Sequence, residues 1–525
     1  MTYLNRLLTV FLVLIGGALV WLGAQLILAG GSLYYAPAGG ALLATAWALW
    51  KQSSIVLRIY AGLWIATLIW ALWESGLNGW ALAARLGLLT GIGLWLLTPW
   101  VRRSLGVTPT TALSRSLLGL ALAGLISGTG WLFWNDRITG GMDLATFAGA
   151  PADERAGNWL HYGNAQGGNR HSSLTQINGD NVGALAPAWK FSLGKEPNGE
   201  AAPFEATPLK IGERLYVCSG YNDIIAIDAE TGKQAWRFAA HANTEGIFGQ
   251  TCRGLAYYMV PTATTGSICK ERLYTATIDS RLIAVDVATG KACQNFGDDG
   301  AVNLLKGMSG APVGYYHVTS PPALVGGKLV IGGWVTDGQK TVEPSGVIRA
   351  FDAVTGKFVW AWDMGRPDKH SEPESGETYT PGTPNSWAPM SADEKLGLVY
   401  APMGNATPDY HGGHRSPEMD KYSSAVVALD ANTGKPRWHF QTTHHDLWDY
   451  DVPSQPVLID LADGRPALLQ PTKRGEIFML DRRTGEPIAE VTERRVPTSD
   501  LQGERSSPTQ PFSTGMPSFA GTRPS

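Results

Sequence analysis

Two hydrophobic patterns follow one another along this 525-residue chain. Residues 7–30 (LLTVFLVLIGGALVWLGAQLILAG) are uncharged, apolar and long enough to cross a bilayer, and no small-residue cleavage site follows, so the pattern predicts a retained anchor. Further apolar runs at about 33–50, 55–73, 79–100 and 117–134 bring the predicted spans to five, with Arg58 and Arg85 near segment ends where they can snorkel to the headgroups. After a polar linker over 138–158 the pattern changes to short β-rich runs: IIAID, LIAVD, VIRAFD, VVALD and IFMLD. Each ends on the Asp of an Asp-x-x-Thr-Gly string, at Asp228, Asp286, Asp352, Asp430 and Asp481, spaced 58, 66, 78 and 51 residues apart.

A strand, a tight turn and another strand, repeated in this way, predicts radially repeated sheets, a β-propeller. The turn chemistry explains the string. Asp accepts from backbone amides ahead of it, Gly takes positive φ, and the Trp that follows three of the strings (Trp236, Trp360, Trp438) supplies packing surface between neighbouring sheets. The expected architecture is an α-helical membrane domain over 1–137 followed by an all-β propeller over 159–525.

Charge adds orientation. The chain as a whole is 17% charged with a net charge of −3, but nearly all the acids lie beyond residue 135. Basic residues mark alternate connections: Arg6, then Lys51 with Arg58, then Arg102, Arg103 and Arg115. By the positive-inside rule these are cytoplasmic, and everything after the fifth span faces the other side, the periplasm of a Gram-negative cell. No broad basic surface argues for nucleic acid. Cys218, Cys252, Cys269 and Cys293 all fall in the exported part, where one or two disulfides can form in pairings the sequence leaves open. None belongs to a Cys-x-x-Cys-His haem site.

Several strings occur in order after the linker: the repeated turns, TCRG (251–254), SPPALVGGKLVIGG (320–333), TPNSWAP (383–389), YAPMGNATPD (400–409) and HHDLWDYD (444–451). Together with the membrane prefix they resemble the membrane-bound dehydrogenases that use pyrroloquinoline quinone (PQQ), in particular the glucose, quinate and shikimate group. The resemblance covers essentially the whole chain. It implies PQQ and Ca²⁺ or Mg²⁺ as cofactors, a sugar or cyclic polyol as substrate, and ubiquinone in the bilayer as electron acceptor.

PQQ is a flat ortho-quinone with three carboxylates, so its pocket requires an aromatic platform, cations and a divalent ion, with a carboxylate to take the substrate hydroxyl proton. By resemblance Asp449 is that base, and neighbouring Asp446 and Asp451 are expected to raise its pKa together with burial. Lys473 in QPTKRGEIFML matches the lysine that contacts the quinone oxygens, Trp387 the stacking platform, and Arg253 a partner for a PQQ carboxylate. Asp337 and Thr407 fall where glucose-type members have residues near the ion and the cofactor. His411, His414, His444 and His445 lack structural-zinc spacing, and the last two are expected to position the loop of Asp449.

Two departures shape the expectation. Glucose-type members place a His three residues before the Cys of TCRG, where this chain has Gly249, which weakens the first reading, oxidation of an aldose such as D-glucose to its lactone, and raises the alternative of quinate or another cyclic polyol. The family propeller has eight blades, whereas five marked turns and the tail PTQPFSTGMPSFAGTRPS predict a propeller short of its later blades. A membrane-tethered propeller that binds without catalysis is the reading from another class.

Overall fold

The computed structural model describes residues 3–28, 31–76, 79–107, 157–194, 204–247, 249–308, 312–337 and 343–519. The chain divides into two compact units at the Thr139/Gly140 boundary.

In the first unit α1 (Tyr3–Leu28), α2 (Tyr35–Trp50), α3 (Ile55–Ser75) and α4 (Gly79–Leu96) fall on the first four apolar runs. Small residues let α1 and α2 touch: a Cβ on Gly39 would lie 2.7 Å from the carbonyl oxygen of Gly16, so only glycine permits this approach. Leu12, Leu42, Leu49, Val56, Tyr60 and Leu63 share the buried core of this bundle. Among the described residues two helices, α1 and α3, are long and apolar enough to cross a membrane. The 16 residues of α2 span only about 24 Å at 1.5 Å per residue. The fourth predicted run, 79–100, is interrupted: α4 stops at Leu96 and a short α5 (Pro99–Ser104) starts on a proline after Thr98. The fifth predicted span and the linker up to residue 156 lie outside the described residues.

The second unit is a set of antiparallel sheets. Among the described residues, beside two two-stranded ladders, there are five larger sheets: four of four strands each, over residues 209–238, 256–303, 323–362 and 391–441, and a fifth, over 457–481, of three. Each carries one Asp-x-x-Thr-Gly string immediately after its third strand. In the first four, the Asp Oδ1 accepts both the backbone N–H and the hydroxyl of the Thr, at 2.7–3.0 Å. In the fifth, Asp481 Oδ1 accepts from the Arg483 backbone instead.

The tryptophans join neighbouring blades. Trp236 packs on Gly290 of the next blade, Trp360 on Gly434 and Trp438 on Gly485. Each indole N–H donates to the carbonyl of the residue after the Asp of that next string: Val287 at 3.2 Å, Ala431 at 2.9 Å and Arg482 at 3.1 Å. Trp189 makes the same contact with Gly232 and Ala229 of the first blade. The second blade has Gln294 where the Trp would stand, and Gly356 of the third blade meets Gly297 and Val302 instead.

The segment 185–193 is not hydrogen-bonded into a sheet; it is held through Trp189, Phe191 and Leu193, which pack on Val217, Ile225 and Ile227. The segment 159–168 braces the blades: Trp159 pairs with Lys210 of the first, while Gln166 and Gly167 accept from Ala392 (3.1 Å) and Leu458 (2.7 Å) of the fourth and fifth. The cysteines pair as Cys218–Cys252 and Cys269–Cys293.

Candidate active site

Antiparallel topology decides where the site can be. In an up-and-down blade, the turns after strands 1 and 3 lie at one end, while the turns after strand 2 and the links from strand 4 to the next blade lie at the other. All five Asp-x-x-Thr-Gly turns follow third strands. All six residues singled out by sequence lie at the opposite end. Arg253, Trp387 and Asp449 are on blade-to-blade links, and Asp337, Thr407 and Lys473 are in loops that follow a second strand. One end of the sheets is repetitive structure, and the other gathers the six candidate residues.

Asp451 is the hub of that end. It is 5% exposed. Its Oδ2 accepts from Trp387 Nε1 at 3.1 Å and from Lys473 Nζ at 3.1 Å, while its Oδ1 accepts from the Asn405 backbone N–H at 2.7 Å. Lys473 Nζ also donates to the carbonyl oxygen of Asp449 at 2.9 Å and to its Oδ2 at 3.2 Å. Arg253 lies over the Trp387 ring, 5.1 Å from its centroid, and pairs with Glu205 at 3.0 Å. The disulfide to Cys218 fixes the chain position just before Arg253.

The loop of Asp449 is shaped by Asp446, which is fully buried. Its carboxylate accepts from the backbone N–H of Trp448 at 2.9 Å and of Tyr450 at 2.6 Å, and from Ser424. This wraps the turn tightly enough that Asp449 takes φ +60°. His444 bonds Gln441 and Glu493, each at 3.0 Å, and His445 faces Asp420 at 3.3 Å, so both tie this loop to its surroundings.

The electrostatics are dominated by crowded carboxylates. Burial, then the charge of Asp451, pushes Asp449 up to about 6, against the pull of Lys473. The expected like charge therefore comes from Asp451; Asp446 is occupied in holding the turn. Burial, then Asp451 and Asp449, raises Asp337 to about 7. Burial, then Asp337, Asp449 and Asp451, raises Asp409 to about 8. Burial pulls Lys473 down, but the two carboxylates beside it outweigh that and leave its pKa raised.

Sequence reasoning did not single out Asn405, Asp409 or Arg415, although the first two stand in the YAPMGNATPD string. Gly249 takes φ +70°, and a Cβ there would meet nothing within 4 Å, so a side chain at this position has room but not a favourable backbone.

These residues fit the groups a flat tricarboxylate quinone and a divalent ion require. Trp387 offers a half-buried indole, Arg253 and Lys473 offer cations, and the carboxylates repel one another in a way a cation would relieve. The hydroxyl of Thr407, 1% exposed, has no partner. Among the described residues no three His, Cys, Asp or Glu side chains converge tightly enough to hold an ion by themselves.

Comparison with known proteins agrees. Residues 159–524 match the family model "PQQ: Glucose/ethanol/alcohol dehydrogenase, beta-propeller domain". The chain is 41% identical to quinoprotein glucose dehydrogenase A of Acinetobacter calcoaceticus, over 97% of this chain and 66% of that one. It is 38% identical to the quinate/shikimate dehydrogenase (quinone) of Acinetobacter baylyi, over 94% and 64% respectively. It therefore spans about two thirds of the length of these relatives. Among solved structures, the quinohemoprotein alcohol dehydrogenase of Comamonas testosteroni superposes with a TM-score of 0.52 at 28% identity, covering 68% of this chain and 52% of that one. The propeller turns, the cluster at one end of the sheets and the match over 159–524 converge: the chain belongs to the PQQ-dependent quinoprotein dehydrogenase family.

Proposed function

We propose that this chain carries the substrate-oxidising site of a membrane-bound quinoprotein dehydrogenase that takes hydride from a hydroxyl carbon of an aldose such as D-glucose, forming the lactone, or of a cyclic polyol such as quinate. The observation that carries this reading is the pairing of Asp449 with Lys473 beside the Trp387–Asp451 contact. When bound, PQQ is the two-electron acceptor and the divalent ion makes its carbonyl more electrophilic.

The chain's own residues have separable roles. Asp449, with a pKa near 6, is ionised at neutral pH and accepts the substrate hydroxyl proton as hydride leaves the same carbon. Lys473 offsets the negative charge that develops on the acceptor's oxygen. Trp387 is the stacking platform, and Arg253 and Thr407 hold the cofactor's polar edge. Asp337 would hold the ion, with Asp449 beside it. The helices anchor the protein in the inner membrane by several spans, the propeller faces the periplasm, and electrons pass to ubiquinone in the bilayer. The relatives cover both glucose and quinate, and the open space at Gly249 favours the bulkier cyclic polyol as a second reading.

The test is dye-linked oxidation by membranes carrying the chain, supplied with PQQ and Mg²⁺ or Ca²⁺ and offered D-glucose and quinate side by side. PQQ-dependent turnover with either supports the proposal. If neither is oxidised while a longer relative prepared in the same way is active, this chain does not carry the activity alone, and a binding propeller becomes the better reading.

A further inference from the structure

The turn Thr407–Pro408–Asp409 is more elaborately held than a loop needs to be. Arg415, 3% exposed, directs its guanidinium at backbone carbonyls: Asp446 at 2.6 Å, Pro408 at 3.0 Å and Asp409 at 3.1 Å. The Asn405 amide adds donations to the carbonyls of Asp409 (3.0 Å) and Asp446 (3.1 Å). Two buried side chains thus clamp this turn to the turn that carries Asp449.

Asp409 is the unexplained member. It is 4% exposed, yet its Oδ1 has no hydrogen-bond partner. The arginine beside it directs both terminal nitrogens at main-chain oxygens rather than at this carboxyl, and its Nε is unpaired. A purely structural aspartate at such depth would be paired, because a buried acceptor left unmet keeps its full desolvation penalty. The carboxyl feels Asp337, Asp449 and Asp451, which places it in the same cluster.

We propose that Asp409 is a substrate-directing residue: clamped by Arg415 and Asn405, it receives a second hydroxyl of the polyol whose reacting hydroxyl faces Asp449. This rests on the reading of Asp449 as the base. A buried group built to hydrogen-bond one substrate hydroxyl discriminates strongly against an analogue that lacks it. The chemistry selected is a polyhydroxylated ring rather than a simple alcohol.

The test is calorimetric binding of D-glucose, quinate and their monodeoxy analogues to the full chain loaded with Ca²⁺ and chemically reduced PQQ, so that no turnover intervenes. The expected result is that the wild type binds one monodeoxy analogue at least tenfold more weakly than its parent. Asp409→Asn should bind the parent equally weakly without distinguishing that analogue, and Asp409→Glu should recover part of the discrimination, with reduced PQQ retained in both. Equal binding of parent and all analogues by the wild type, no binding of either parent, or an Asp409→Asn protein that still discriminates would overturn the proposal. If Asp409→Asn does not fold, Asp409→Ser takes its place in the same comparison. Failure of the base reading shows separately, as turnover by Asp449→Asn.

Discussion

The indole N–H of Trp387 donates to Oδ2 of Asp451 at 3.1 Å, tying a platform on the link between the third and fourth blades to the link between the fourth and fifth. The same oxygen accepts from Lys473, so one buried carboxylate sets the positions of an aromatic ring, a cation and, two residues away, Asp449. Asp451→Ala removes that hub, leaving the Trp387 indole and the Asn405 backbone N–H without their acceptor and Lys473 with Asp449 alone. The expected cost is about 3–5 kcal/mol of stability, read by urea denaturation, with PQQ affinity falling alongside. A variant of unchanged stability would show that the three contacts do not depend on this residue.

The carboxylates predict a pH dependence of stability opposite to the usual acid lability. Asp449, Asp337 and Asp409 hold protons up to about 6, 7 and 8, whereas unfolded they release them near 3.8. A folded pKa above the unfolded one stabilises fully below the unfolded value and loses that contribution as pH rises through the folded value. In ion-free buffer the thermal midpoint of the chain should therefore fall between about pH 4 and pH 8 from this cluster. Added Ca²⁺ or Mg²⁺ should flatten the fall by taking the place of the protons. A midpoint indifferent to divalent ion at pH 8 would contradict the clustering.

His317 acts in the opposite direction. It is fully buried, with its Nε2 unpaired, and burial lowers its pKa to about 4. A depressed histidine stabilises above its unfolded value of 6.5 and loses that contribution as pH falls toward 4. His317→Phe should flatten the acid limb of the stability curve between those values, measured by denaturation at a series of pH values. An unaltered acid limb would remove His317 from the account.

The inter-blade tryptophans were legible in the sequence because a Trp at a fixed distance from a turn glycine is a linear signal. Trp360 is 2% exposed, packs on Gly434 and bonds Ala431. Trp360→Ala should cost about 3–5 kcal/mol in denaturation experiments. A loss under about 1 kcal/mol would mean that the neighbouring blade does not rely on it.

The site was legible only in part. Asp449, Lys473, Trp387 and Arg253 lie in strings distinctive enough to be recognised, and the topology brings them to one end. Asn405, Asp409 and Arg415 act through backbone carbonyls or through an unpaired oxygen, and nothing in residue type marks such a role. Asp449's pKa is raised by burial and by Asp451, as expected, but the different part played by Asp446 was not legible for the same reason. Asp446 and Asp451 are equally acidic neighbours in sequence, and only the fold shows that one wraps the turn while the other meets Lys473. Helix lengths in the first unit were overestimated where Pro99 breaks an apolar run that hydropathy alone reads as continuous.

The Cys218–Cys252 bridge holds the residue just before Arg253. Cys252→Ser should lower stability by about 2–4 kcal/mol and weaken PQQ binding more than the equivalent Cys293→Ser change, since Cys293 is remote from Arg253 in the chain. Equal PQQ affinity in the two variants, by fluorescence titration, would separate the bridge from the site.

The central claim is that Asp449 removes the substrate proton beside bound quinone. Its most direct measurement is the absorbance of PQQ held by Asp449→Asn on rapid mixing with glucose or quinate, against the unaltered chain. The account predicts that the variant retains PQQ but reduces it at least a thousandfold more slowly, of the order expected for loss of a general base with its local charge. Reduction at the unaltered rate would contradict it.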